Sequence, residues 1–89
     1  MIKKDQILVA TRSQYYSCGK TKLHMGAIIK AANFENEDNN TVIVYLSKLR
    51  ETKNDWERIE TDDNKVRLAT QEEICMWDAG IRNCKGELI

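Results

Sequence analysis

The chain has 89 residues, with 14 basic and 14 acidic side chains, 42% apolar residues and no proline. That length holds one small domain and excludes a doubly wound nucleotide-binding fold, a kinase or a (β/α) barrel, while a pI of about 6.6 excludes a global attraction to polyanions. Its longest apolar runs, residues 7–10 and 42–46, fall far short of the roughly 20 residues a membrane helix needs.

The start, Met1-Ile2-Lys3-Lys4-Asp5, leads into a short apolar stretch and carries no secretory signal, so a soluble, cytoplasmic protein without membrane association is expected. Residues 6–11 (QILVAT) are β-branched and apolar and predict a strand. A polar, aromatic stretch follows over residues 12–23, with Tyr15, Tyr16, Cys18, Gly19 and Lys20 in it and His24 beside it. Residues 21–33 can be read in two ways. A helix would put Leu23, Ala27, Ile28 and Ala31 on one face, whereas the β-branched pair Ile28-Ile29 beside a hairpin signal favours a strand over 26–34. That signal is residues 35–40 (ENEDNN), a turn composition. Residues 41–49 (TVIVYLSKL) carry the clearest strand pattern, with Val42, Val44 and Leu46 on one side and Ile43 and Tyr45 on the other. Residues 56–60 alternate weakly, Thr61-Asp62-Asp63-Asn64 predicts a turn, and Val66-Arg67-Leu68 predicts a last short strand.

Thr70-Gln71-Glu72-Glu73 has the form of a capping box: the threonine hydroxyl can accept from the third helical amide, and Glu73 can reach back to the threonine amide. Both glutamates also stand where the helix dipole favours negative charge. Ile74, Trp77, Ile81 and Cys84 recur at helical steps as one apolar stripe. Gly80, which costs about 1 kcal/mol relative to alanine, sets an end near Asn83, so the helix is predicted over residues 70–83. Four or five short strands and one C-terminal helix specify a mainly β (α+β) domain. The expected architecture is a small antiparallel β-barrel or half-barrel whose open side the helix plugs.

A strand, a long first loop, Met25-Gly26 opening a second strand, a hairpin, then a charged strand running into Val66-Arg67-Leu68-Ala69-Thr70-Gln71-Glu72-Glu73: this order resembles small bacteriophage-encoded β-barrel proteins of the Src-homology-3-like or KOW-like kind. The likeness covers residues 5–80 and is carried by Met25-Gly26 and residues 68–73, where such proteins pass from the final strand straight into an ATxEE helix start. It implies an adaptor or inhibitor that binds a larger protein or nucleic acid without catalysis.

Motifs for chemistry are weighed against plainer readings. Gly19-Lys20-Thr21 shares the end of the phosphate-cradling loop but has Gln14 where that loop's first glycine belongs, so a surface loop is the better reading. Cys18, His24, Cys75 and Cys84 are soft-metal ligand types without a C-x-x-C knuckle, and free thiols are expected in place of a zinc site or a disulfide. A Cys18–His24 thiolate pair has no supporting acid nearby in sequence, and the acidic turns lack calcium-loop spacing. No enzyme activity, metal or cofactor is expected.

Charge is divided along the chain. Lys3, Lys4, Arg12, Lys20, Lys22 and Lys30 stand against Asp5 alone over residues 1–34, a net +5, and residues 35–63 carry a net −5. The two parts either occupy different faces or interleave and neutralise each other. Glu51, Asp55, Trp56, Glu57 and Glu60 combine an aromatic anchor with acids, the mix of a protein-binding surface, although Trp56 could equally fill the core. Trp77, on the helix stripe, is expected inside. The leading expectation is a small non-catalytic protein that engages and modulates a larger host or partner protein. The alternative is a single-stranded DNA- or RNA-binding module using Arg12, Tyr15, Tyr16, Lys20, Lys22 and His24, where rings alternate with cations. A dimer is left open.

Overall fold

The structure, a computed structural model, describes residues 2–34, 41–61 and 64–80. In chain order its elements are β1 (Ile7–Ala10), β2 (Gln14–Tyr15), β3 (Thr21–Leu23), β4 (Ile28–Phe34), β5 (Thr41–Tyr45), α1 (Lys48–Thr52), β6 (Trp56–Glu60), β7 (Val66–Leu68) and α2 (Gln71–Asp78). Five strands form an antiparallel sheet in the order β6-β5-β4-β1-β7, and β2 pairs with β3 in a separate ribbon. The mainly β class is as expected, and residues 21–33 are extended over β3 and β4 as the Ile28-Ile29 pair predicts. The sheet does not close into a barrel; β6 and β7 are its two edges.

Register explains why the central strands are apolar at consecutive positions. Leu8 lies opposite Ile29 and Leu68, and Val9 opposite Ile28 and Arg67, so neighbouring residues point to opposite faces and both faces need a cover. On one face Leu8, Ala10, Ile29, Ala31, Val42, Val44 and Ile59 pack with Leu23 of the ribbon. On the other, Val9 and Ile28 pack with Trp77 of α2, flanked by Ile7, Tyr45, Ala69 and Met76. Trp77 is only 2% exposed and fills the core as expected. The result is three layers, ribbon over sheet over helix. Among the described residues no helix is long and apolar enough to cross a membrane.

Three expectations need correction. The strand predicted over 41–49 stops at Tyr45, because buried Ser47 starts α1: its hydroxyl accepts from the Arg50 amide at 3.2 Å, a side-chain cap that outcompetes further extension. Among the described residues there are thus two helices, where the sequence predicts one. The stretch 12–23 is not a plain loop but holds the β2–β3 ribbon, whose pairing shifts register between Gln14 and Tyr15. Finally, α2 ends at Asp78 because Gly80 adopts a left-handed conformation (φ 85°) and its amide turns back to the Trp77 carbonyl at 2.9 Å. On the predicted stripe Trp77 is buried and Ile74 half-buried, while the adjoining Met76 joins the helix–sheet core; Ile81, Asn83 and Cys84 lie outside the described residues.

The capping box forms as predicted: the Thr70 hydroxyl accepts from the Glu73 amide at 3.3 Å, and the Glu73 carboxylate accepts from the Thr70 amide at 2.8 Å. The same carboxylate takes both guanidinium nitrogens of Arg67 at 2.8 Å, which ties β7 to the first turn of α2. This fork with Arg67, ahead of the cap, holds the Glu73 carboxyl at about 2. A carboxyl depressed by folding contributes stability that is complete above its unfolded value near 4.5 and lost as pH falls through about 2. Glu73→Gln is therefore expected to lose about 1–2 kcal/mol at neutral pH, the part that survives screening of a half-exposed guanidinium. Urea midpoints measured between those two pH values should fall steeply for the natural chain and remain nearly flat for the variant.

Candidate binding surface

The ribbon is held against the sheet by side chains. Gln14 is buried, and its amide group reads one residue of the edge strand twice: its nitrogen donates to the Glu60 carbonyl at 3.0 Å and its oxygen accepts from the Glu60 amide at 3.0 Å. Gln14 thereby does for the outer side of β6 what a neighbouring strand would do, satisfying one pair of edge groups. One turn of ribbon away, the Tyr16 hydroxyl donates to the Glu57 carboxylate. That hydrogen bond favours the protonated phenol and moves the Tyr16 pKa above its ordinary value. Lys22 Nζ stands 5.2 Å from the centre of the Tyr16 ring, a cation over a π face.

The two residue sets that the sequence offered as competing sites therefore meet along β6. From the basic–aromatic set, Tyr16 and Lys22 join the contact with β6; Tyr15 is 61% exposed, and Arg12, Lys20 and His24 are exposed with no side-chain partner among the described residues. From the acidic set, Glu51 pairs with Lys30 at 2.6 Å, Asp55 with Arg50 at 3.4 Å and Glu60 with Lys65 at 2.6 Å. The hydrogen bond from Lys65 holds the Glu60 carboxyl below the usual carboxylate range, and the nearby charge of Lys22 adds to it. Glu57 accepts from the Tyr16 hydroxyl, a partner that carries no positive charge. Of the two outcomes considered for the divided charge, these residues take the interleaved one: Lys30 from the basic third neutralises Glu51 from the acidic third. Three of the four candidate acids are compensated within the chain, so they do not form an open acidic face.

Trp56 is 44% exposed and is not core. Its register partner is Tyr45, so it lies on the α2 side of the sheet beyond the helix, and Arg58, two residues on and on the same face, stacks on its ring at 5.2 Å. The surface thus has an aromatic–guanidinium pair on one side of β6 and the ribbon on the other. Arg58, Gln14 and Lys65 are functional neighbours that the residue patterns did not single out. Arg58 was legible as the strand neighbour of Trp56, whereas nothing in a polar loop marks Gln14 as buried.

A cleft of about 240 Å³ beside β6 is lined by Ser13, Gln14, Tyr15, Lys22, Glu60 and Lys65. Another, of about 390 Å³, lies away from β6 under α2, with Val9, Ile28, Met76, Arg67 and Glu73 among its walls, and belongs to the helix–sheet joint. Cys18 and Cys75 are exposed on different elements, and among the described residues no three His, Cys, Asp or Glu side chains converge as metal ligands. Compared with known proteins, the chain matches no protein-family model, no curated protein and no solved structure.

Removing the amide that joins ribbon to edge leaves two backbone groups of Glu60 without their partner, at a cost of about 1–3 kcal/mol. Gln14→Ala is expected to raise amide hydrogen exchange at Glu60 and along the ribbon by about tenfold or more, while exchange at the amides of β1 and β4 rises only by the factor that the loss of global stability sets.

Proposed function

We propose that this chain is a non-catalytic binding protein of the phage-encoded Src-homology-3-like kind. It acts in the host cytoplasm and docks on a larger host or partner protein to modulate or inhibit it. The observation that carries this reading is the Trp56–Arg58 pair, a large ring left 44% exposed where the chain's other tryptophan, Trp77, is 2% exposed, with a guanidinium laid across it. Tryptophan and arginine are the residues that dominate binding energy at protein interfaces, and a ring already packed by its neighbour loses little freedom on docking. Glu51, Asp55 and Glu60, whose charges are already paired, serve this surface as a polar rim that excludes water and contributes little energy, while Glu57 holds the ribbon on the other side of β6.

The immobilised full chain, with nuclease-treated lysate from the cells in which it acts, provides the test. One protein retained by the natural chain and weakened about thirtyfold or more by Trp56→Ala, with unchanged thermal unfolding, is the expected result. Equal retention by Trp56→Ala, or retained material that disappears with nuclease, would overturn the reading.

A further inference from the structure

We propose that the cleft between the β2–β3 ribbon and Glu60 and Lys65 binds the backbone of a single-stranded nucleic acid, with Tyr15 as a stacking platform for a base. The site lies across β6 from Trp56 and Arg58, and the proposal does not depend on the protein-docking reading. Its cleft of about 240 Å³ is lined by Ser13, Gln14, Tyr15, Lys22, Lys65 and the lysine-paired Glu60, with no purely aliphatic side chain, a lining suited to a phosphate and sugar and poor for an apolar anchor. Ser13 Oγ accepts from the Met25 amide at 3.0 Å, which leaves its own proton free to donate into the cleft. Lys22 stands over the Tyr16 ring, and Lys65 compensates Glu60, the one carboxylate in the lining. Glu57 does not line the cleft.

Beyond the cleft, Arg12 and Lys20 are exposed without a side-chain partner among the described residues, so the ribbon continues the positive character at both ends. Tyr15 and Tyr16 are 61% and 41% exposed, and bases must be unstacked to lie on such rings, which selects a single strand over a duplex. Interleaved rings and cations along a narrow ribbon bind without reading base edges, so little preference among sequences is expected.

Fluorescence anisotropy of the full chain with a labelled single-stranded oligothymidylate of about twelve nucleotides measures the interaction directly. Contacts from Arg12, Lys20 and Lys22 predict a slope of about −2 for log affinity against log salt. Tyr15→Ala should weaken binding about tenfold, and Lys22→Gln should flatten the slope by about 0.7. Lys53→Gln, which removes the same charge at the exposed end of α1, should change neither. Thermal unfolding of each variant, matching that of the natural chain, separates lost contacts from lost fold. The proposal is overturned by absence of binding at low salt, by equal binding of a duplex, by equal losses in Lys22→Gln and Lys53→Gln, or by a nuclease-resistant protein whose capture depends on Tyr15 and Lys22.

Discussion

Two-sided burial of the β1–β4 pair is the constraint on which the rest of this structure depends. Leu8 and Ile29 point to one face and Val9 and Ile28 to the other, and all four are essentially inaccessible to water. Fully burying side chains of this size is worth about 1.5–3 kcal/mol each, but only if each face is covered. A chain of 89 residues has few elements to spare for that purpose. The ribbon covers one face with Leu23, and α2 covers the other with Trp77. Neither cover has its own core; each is stable because the sheet gives it apolar surface to rest on.

What anchors each cover also shapes what the surface can do. The helix is fastened at its first turn by the Arg67–Glu73–Thr70 cluster and ends before the left-handed Gly80, and on the same sheet face Trp56 is left 44% exposed with Arg58 against its ring. The ribbon is fastened by Gln14 and Tyr16 to β6 and by Leu23 to the core, while Tyr15 and Lys20 are exposed. Both candidate surfaces are therefore by-products of closing the core, and they border the same strand from opposite sides.

The parts of this architecture that rest on hydrophobic pattern or capping chemistry were legible in the sequence. Residues 28–34, 41–45 and 66–68 have the composition of strands and are strands, and Thr70 and Glu73 form the box their spacing announces. The parts that rest on competition between signals were not. The apolar run over 41–49 hides the Ser47 cap, since strand propensity and a helix start overlap within three residues. The ribbon has strands of two and three residues, too short for any alternation to register. At the candidate surface, the exposure of Trp56 goes with its place on the edge strand β6, a tertiary outcome invisible in the local composition of residues 51–60.

Tethering of the ribbon through a handful of side chains has a consequence for how such a protein can change over generations. Leu23, Gln14 and Tyr16 carry the attachment, while Arg12, Tyr15, Ser17 and Lys20 have no duty in the interior. Replacement at these outer positions leaves the scaffold's thermodynamics nearly untouched, so ligand preference is free to drift there under selection without jeopardising folding.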